Sequence, residues 1–302
     1  MTGISVVVPT KDRLQYLKKA VPAYLEHDEV REVVIVVDGC TDQTLAYASA
    51  VSAGDDRIRY VDNGKNRGLT YSRNKGIELA RQEYVFTGED DLELSAGFFK
   101  TLLAHMEETG ADIISGRNIF RFEQETAEQA TQRTDRITGS AVDRRAIAVQ
   151  TGMPGTEDRE QPLLPAPMLG RTALFREIGF DESYRGNAWR EESDFQLSAR
   201  ERGCRLVYCP HAVSFNLMIE NDRGGAHSWV GAKRVAWVVR NNWRFIRKHR
   251  EMIARDFDIG SPYAYITGFA VKRTFMEIVL PRLIEAKRRS MGVLGRTPGE
   301  GE

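Results

Sequence analysis

Three consecutive carboxylates, Glu89-Asp90-Asp91, follow the apolar run Tyr84-Val-Phe86 after a Thr-Gly step. Acids set at the end of a buried strand are costly unless a cation or a ligand compensates them. A divalent metal bound to a nucleotide diphosphate would supply that charge, because hard carboxylate and phosphate oxygens share Mg²⁺ or Mn²⁺ in this way. A second acidic group lies in Arg190-Glu-Glu-Ser-Asp194, three carboxylates within four residues near a predicted helix start. At least one of them can face a cleft as a general base. The same acids would also suit the first turn of an ordinary surface helix, where the dipole favours them.

Two further stretches could hold the rest of such a ligand. In Val37-Asp38-Gly39-Cys40-Thr41-Asp42 a carboxylate at a strand end can accept a hydrogen bond from a nucleobase imide, and Gly39 lets a ligand approach the backbone closely. Asp-Gly is equally ordinary turn chemistry. In Asn66-Arg-Gly-Leu-Thr-Tyr-Ser-Arg-Asn74, Arg67 and Arg73 are expected on the first turns of a helix, whose dipole and free N–H groups attract phosphate. Solvated arginines on a helix face would read the same way.

A repeating pattern positions these residues. Ile4-Ser-Val-Val-Val8 is a short β-branched run, and 14–25 has helical spacing despite Pro22. Val33-Val-Ile-Val-Val37 reads as a second buried strand, with Thr41 or Asp42 able to cap a helix reaching about Ser52. A third strand is expected over 57–61, a helix over 66–82, and a strand at Tyr84-Val-Phe86 that delivers the acidic cluster. Alternating β and α with polar residues after each strand implies a parallel sheet whose ligand lies beyond the strand C-termini. Further on, a helix over 98–109, a strand at 112–115, a helix over 190–202 and a strand over 205–209 ending at Pro210 are expected. Residues 123–165 are polar and poorly periodic and read as an excursion or loop, and Gly224-Gly225 as a flexible loop.

Composition narrows the classes. A chain of 302 residues with 41% hydrophobic content can bury a large core, and 43 Lys/Arg balance 43 Asp/Glu, so no polyanion-binding signature points to nucleic acid. The balance hides an asymmetry, since residues 231–302 hold 15 Lys/Arg against 7 Asp/Glu. Cys40, Cys204 and Cys209 lack C-x-x-C spacing, which argues against a disulfide framework or a zinc site and fits a reducing cytoplasm. Strand-like sequence begins by Ile4, so no signal peptide is expected, and any membrane contact would be peripheral, at the cytoplasmic face. Pro9-Thr-Lys-Asp-Arg13 stands where a dinucleotide oxidoreductase would carry G-x-G-x-x-G.

Taken together, Val7-Val-Pro-Thr10, Val-Asp-Gly-Cys-Thr-Asp42, Asn66 to Asn74, Glu89-Asp-Asp-Leu-Glu-Leu94, Trp189-Arg-Glu-Glu-Ser-Asp194 and Val207-Tyr-Cys-Pro210 resemble the inverting glycosyltransferases of family 2. The resemblance implies a GT-A fold: an α/β, Rossmann-like, mostly parallel sheet flanked by helices, here with a helical C-terminal extension. It implies a domain over 1–227, with a nucleotide-binding half 1–97 and an acceptor half 98–227. A basic helical region over 228–291 and a disordered tail over 292–302 would follow. Pro9, Thr10 and Arg13 would border the nucleotide of a nucleotide-diphosphate sugar, Asp38 read its base, and Arg67 and Arg73 lie near the diphosphate. Glu89-Asp90-Asp91 fills the family's D-x-D position, with Asp91 the main ligand of Mn²⁺ or Mg²⁺ and Glu89 in place of the usual first Asp. Glu192 takes the base position, Glu191 is the second choice, and Asp194 orients or caps the helix. Where many relatives place a metal-binding His, this chain has Asn216, leaving His227 and His211 as replacements. The acceptor would be a saccharide or a lipid-linked saccharide. Glu89, Asn216 and the shortened Val-Asp-Gly motivate an alternative, a catalytically degenerate nucleotide-sugar or glycan-binding module.

In the C-terminal region Trp237, Trp243, Phe245 and Ile246 alternate with Arg240, Arg244, Arg247 and Lys248. An apolar stripe with a basic flank can lie on an anionic membrane. It can equally pack helices onto the rest of the chain or onto a second copy. Pro281 is expected to kink or split the last helix.

Overall fold

A computed structural model of the protein describes residues 3–218 and 231–284. The chain opens with β1 (Ile4–Thr10), α1 (Leu14–Leu25), β2 (Val30–Val37), α2 (Thr44–Gly54), β3 (Ile58–Asp62), α3 (Leu69–Leu79) and β4 (Tyr84–Phe86). These four strands pair in parallel, in the order β3-β2-β1-β4. Residues 33–37 are all buried, as an unbroken β-branched run must be when helices cover both faces of its sheet. α1 keeps its course through Pro22 and turns Leu17, Val21 and Tyr24 inward.

Two local expectations shift. α3 is shorter than 66–82, because Gly68 stands at its N-cap with φ of 93°, a conformation that cannot continue a helix. Asn66 and Arg67 therefore belong to the preceding loop, while Arg73 and Asn74 stay on the helix. α2 starts after Gln43 rather than Thr41 or Asp42, although Asp42 still accepts the Thr44 N–H at 3.0 Å.

The second half adds β5 (Leu92–Leu94), α4 (Phe98–Thr109), β6 (Ile113–Phe122), α5 (Ala127–Thr134), the hairpin β7 (Val142–Asp143) and β8 (Ala148–Val149), β9 (Arg159–Glu160), β10 (Leu169–Arg171), α6 (Thr172–Ile178), α7 (Glu191–Glu201) and β11 (Leu206–Met218). The sheet continues from β4 through β10, β6 and β11 to β5, with β9 beside β11. β10 runs antiparallel to both neighbours, whereas the long β6–β11 ladder is parallel. The strand expected to end at Pro210 runs on to Met218. Its register breaks between Cys209 and Val213, where proline has no N–H for the ladder. The excursion over 123–165 is partly ordered: Thr126 and Gln129 form a reciprocal capping box at the start of α5.

Apolar layers cover both faces of the sheet. Leu17, Tyr24, Phe98, Phe99 and Leu102 pack on one, and Ile77, Phe175 and Phe195 on the other. The C-terminal region supplies α8 (Gly231–Lys248), α9 (Arg250–Asp256), α10 (Pro262–Thr274) and a π-helical turn (Phe275–Val279), after which helix continues through Pro281 to residue 284. The wider π turn just before Pro281 is where the ladder adjusts, so the proline does not end the helix. Phe245, Ile246, Met252 and Ile253 join Val142, Ile147 and Leu163 of the excursion, together with Tyr184 and Leu197, in a third core. The inner face of the C-terminal stripe thus packs onto the body of the chain. Its outer face leaves Trp243, Tyr263, Val271, Phe275 and Met276 exposed. Among the described residues no helix is long and apolar enough to cross a membrane. All three cysteines are free. His227, the Gly224-Gly225 loop and the 292–302 tail lie outside the described residues.

Candidate active site

The acidic turn after β4 is clamped from three directions. Thr10, the last residue of β1, donates its hydroxyl to Asp90 Oδ2 at 2.7 Å. Arg13, just before α1, sets Nε 3.1 Å from Asp90 Oδ1 and donates Nη2 to Asp91 Oδ2. The Tyr24 hydroxyl donates to the Glu89 carbonyl at 2.8 Å and accepts the Glu89 N–H at 3.1 Å. From the far side, the Leu217 N–H of β11 donates to the Asp91 carbonyl at 3.2 Å. Arg13, Asp90 and Asp91 are all buried, so these bonds form where charge is poorly screened.

A second cluster centres on Arg73, buried on α3 beneath the Phe180 ring. It donates Nη1 to Glu191 and Nη2 to Glu192 Oε1 at 2.8 Å, with Glu89 Oε1 3.8 Å away. Asn216 of β11 donates its amide to Glu89 Oε2 at 2.7 Å. Arg190 holds φ of 76° at the start of α7, a left-handed conformation uncommon outside glycine. Its guanidinium is anchored to Asn242 Oδ1 at 3.0 Å and to the Ile147 carbonyl. That turn aims Glu191 and Glu192 at Arg73. Glu191 is buried, whereas the Glu192 side chain is 30% exposed and open to the cleft.

Electrostatics set this region apart. Five carboxylates, Glu89, Asp90, Asp91, Glu191 and Glu192, face two guanidinium groups, Arg13 and Arg73. Burial, reinforced by Asp91 and Glu192 and opposed by Arg73, pushes the Glu89 carboxyl up to about 8. Burial likewise holds Glu191 well above the usual carboxylate range, against the pull of Arg73. The cluster is short of positive charge, and its donors are hard oxygens. Both properties fit a divalent cation such as Mg²⁺ or Mn²⁺, with Glu89 and Asp91 the residues that would hold it, since Thr10 and Arg13 take both oxygens of Asp90.

The remaining predicted residues divide. Asp38 accepts from Asn63 Nδ2 at 2.9 Å, the Arg67 N–H at 2.7 Å and the Gly68 N–H at 3.0 Å, so both its oxygens are engaged by the 63–68 turn. A Cβ on Gly39, at φ of 64°, would strike the backbone of Lys65 and Asn66; the close approach it permits is to that turn. Arg67 is exposed and stacks on Tyr71 at 4.3 Å, apart from Arg73. His211 stacks on His105 at 5.0 Å, and it is Asn216 that reaches the acidic turn. Asp194 turns inward to the Tyr184 hydroxyl, Lys248 and His249, at 3.0, 2.7 and 2.9 Å.

Two cavities meet at the acidic turn. The smaller, about 90 Å³, is lined by Pro9, Thr10, Asp38, Gly68 and Asp90, and the larger, about 520 Å³, by Arg73, Glu89, Asn118, Trp189, Glu191 and Glu192. Leu69, Asn187 and Ala188 border both. Tyr24, Asn118 and Trp189 were not anticipated as site residues. They are far apart in sequence, and only the fold brings Tyr24 to the acidic turn and Asn118 and Trp189 to the wall of the larger cavity.

An open α/β sheet with an acidic turn at its strand ends and arginines on both sides is the layout of a GT-A protein, and solved structures agree. The structure of GalNAc-T7 with UDP, GalNAc and Mn2+ superposes on this protein with a TM-score of 0.65 at 13% identity, over 83% of this chain and 50% of that one. The chain belongs to glycosyl transferase family 2, whose family model matches residues 5–175. It is 29% identical to the glycosyltransferase GlyG of Streptococcus pneumoniae over 122 residues, 40% of each protein. It is 28% identical to the succinoglycan biosynthesis protein ExoU of Rhizobium meliloti over 245 residues, 78% of this chain and 67% of that protein. The match thus spans about two fifths of GlyG and two thirds of ExoU.

Proposed function

We propose that the protein is a metal-dependent, inverting glycosyltransferase that moves a sugar from a nucleoside diphosphate to an acceptor hydroxyl. The observation that carries this reading is that adjacent residues of one turn face different cavities, Asp90 the smaller and Glu89 the larger. A donor seated in the first, beside Thr10 and Asp38, would present its sugar at the turn. An acceptor would approach through the second. The smaller cavity admits only part of a nucleotide, so donor binding has to part the 186–188 turn from the β1 loop.

Inversion requires one base, on the side from which the acceptor attacks. Glu192 lines the larger cavity and is the more open of the two glutamates beside Arg73, which suits it to take the acceptor proton as the new C–O bond forms. Glu191, buried against Arg73, orients that guanidinium. A divalent cation at Glu89 and Asp91 would stabilise the charge that grows on the departing diphosphate. The name of ExoU supports a saccharide acceptor, free or lipid-linked.

The test is melting of the full chain with UDP, GDP, dTDP or CDP, each with Mn²⁺ and then with excess chelator, since selective binding raises folded-state stability. One nucleotide should raise the melting temperature, and chelator should remove the shift. In Glu192→Gln that shift should persist while transfer falls by about 10²–10⁴-fold. Full transfer by Glu192→Gln would refute the base assignment. Donor binding without turnover in the unaltered chain would favour a degenerate binding module.

A further inference from the structure

Away from the acidic turn, three residues distant in sequence converge on the edge of the sheet. His105 lies on α4, Asp158 in the segment entering β9, and His211 at the register break of β11. His105 Nδ1 is 2.6 Å from Asp158 Oδ2, and the His105 and His211 rings stack with centroids 5.0 Å apart and planes 23° from parallel. One ligand atom from each of the three lies within 4.8 Å of the other two. The second oxygen of Asp158, Oδ1, is buried and accepts from no nitrogen or oxygen donor, and the Cys209 thiol lies beside this carboxylate.

The backbone around these residues is held in place independently. The Tyr208 hydroxyl donates to the Met153 carbonyl, Gly155 packs against Pro210, and Arg159–Glu160 pairs with Val207 and Tyr208. The three ligand candidates therefore sit on fixed supports, with His105 and Asp158 half-buried and His211 exposed. Two imidazoles and a carboxylate form a borderline donor set suited to zinc, with a fourth position open to water. The acidic turn, by contrast, offers only oxygen and favours harder cations.

We infer that His105, Asp158 and His211 form a zinc site that clips the 123–165 excursion to α4 and β11. Ala148, Val149 and Thr151 of that excursion line the larger cavity, so an occupied clip would steady the wall of that cavity without entering it. The clip rests on its own side chains and does not depend on the transferase reading.

The experiment uses the untagged full chain, stripped of metal and titrated with Zn²⁺ by calorimetry and by melting. The unaltered chain and Asp91→Asn should both bind a single zinc and melt at a higher temperature. His211→Ala removes an exposed side chain, and Asp158→Asn preserves shape. Each should lose at least about tenfold in zinc affinity together with the melting shift. Co²⁺ should give a visible absorption band in the unaltered chain that His211→Ala abolishes. Absence of zinc binding by the unaltered chain would overturn the inference. So would binding that survives unchanged in both His211→Ala and Asp158→Asn, or binding lost in Asp91→Asn alone.

Discussion

The cleft and the C-terminal joint treat buried charge in opposite ways. In the cleft, five carboxylates share two guanidinium groups, and Glu89 and Glu191 are driven toward their protonated forms. At the joint, the Asp194 carboxylate has Lys248, His249 and the Tyr184 hydroxyl around it, with Glu201 2.8 Å from the other nitrogen of His249 and Asp181 3.8 Å from Lys248. Asp256 likewise has Arg255 and Arg200. Nearby, Phe245, Ile246, Met252 and Ile253 bury an apolar face against the excursion. A region whose charges are met from within is built to hold; one left short of positive charge is built to receive a cationic ligand.

The largest expected effects test each region at its centre. Arg73→Ala removes the guanidinium that Glu89, Glu191 and Glu192 share, leaving three clustered carboxyls without it. A loss of about 3–5 kcal/mol in denaturant unfolding is expected, with transfer abolished. Phe245→Ala, at a fully buried site in the third core, should also lose about 3–5 kcal/mol, through cavity formation and lost transfer energy. The contrast lies in activity: Phe245→Ala assayed well below its melting temperature should retain turnover. If both variants lost turnover alike, the division between receiving and holding would fail.

Asp91→Asn sharpens the same contrast. It takes one charge from an over-negative cluster while the amide oxygen can still accept from Arg13. Transfer should fall by about 10²–10³-fold, as when one electrostatic stabiliser is removed from a transition state. Melting in chelator should be unchanged or higher, because a site that stores uncompensated charge is destabilising until its ligand arrives. A clear drop in metal-free stability would mean that Asp91 serves the fold first.

Much of this division was legible in the sequence, and the limits have physical causes. The strand–helix alternation, the α1 helix through Pro22, and the acids at 89–91 and 191–192 follow from local periodicity and charge, which the backbone obeys residue by residue. The start of α3 did not follow, because Gly68 and the capture of the 67 and 68 N–H groups by Asp38 are settled across thirty residues of chain. Arg67 and Arg73 look equivalent as a pair in sequence, yet one is exposed on Tyr71 and the other buried against Glu191. The hydrogen bond from Asn216 to Glu89 depends on β11 running past Pro210, and a proline gives local reading every reason to end the strand there.

The smallest effect belongs to the joint. The Arg255 guanidinium, followed by Arg200 at 2.7 Å, holds the Asp256 carboxyl below its ordinary value of 3.8. A carboxyl depressed in the folded state stabilises the fold above its unfolded value, and that contribution is lost as pH falls through the folded one. Asp256→Asn should therefore cost at most about 1 kcal/mol near pH 7, since both arginines are partly solvated. The difference from the unaltered chain should close as the pH drops below the ordinary carboxylate range. Urea unfolding of both proteins across that interval reads the effect directly. A gap that stayed constant with pH would show that Asp256 acts through shape and not through charge, and the joint's claim to matched charge would then rest on Asp194 alone.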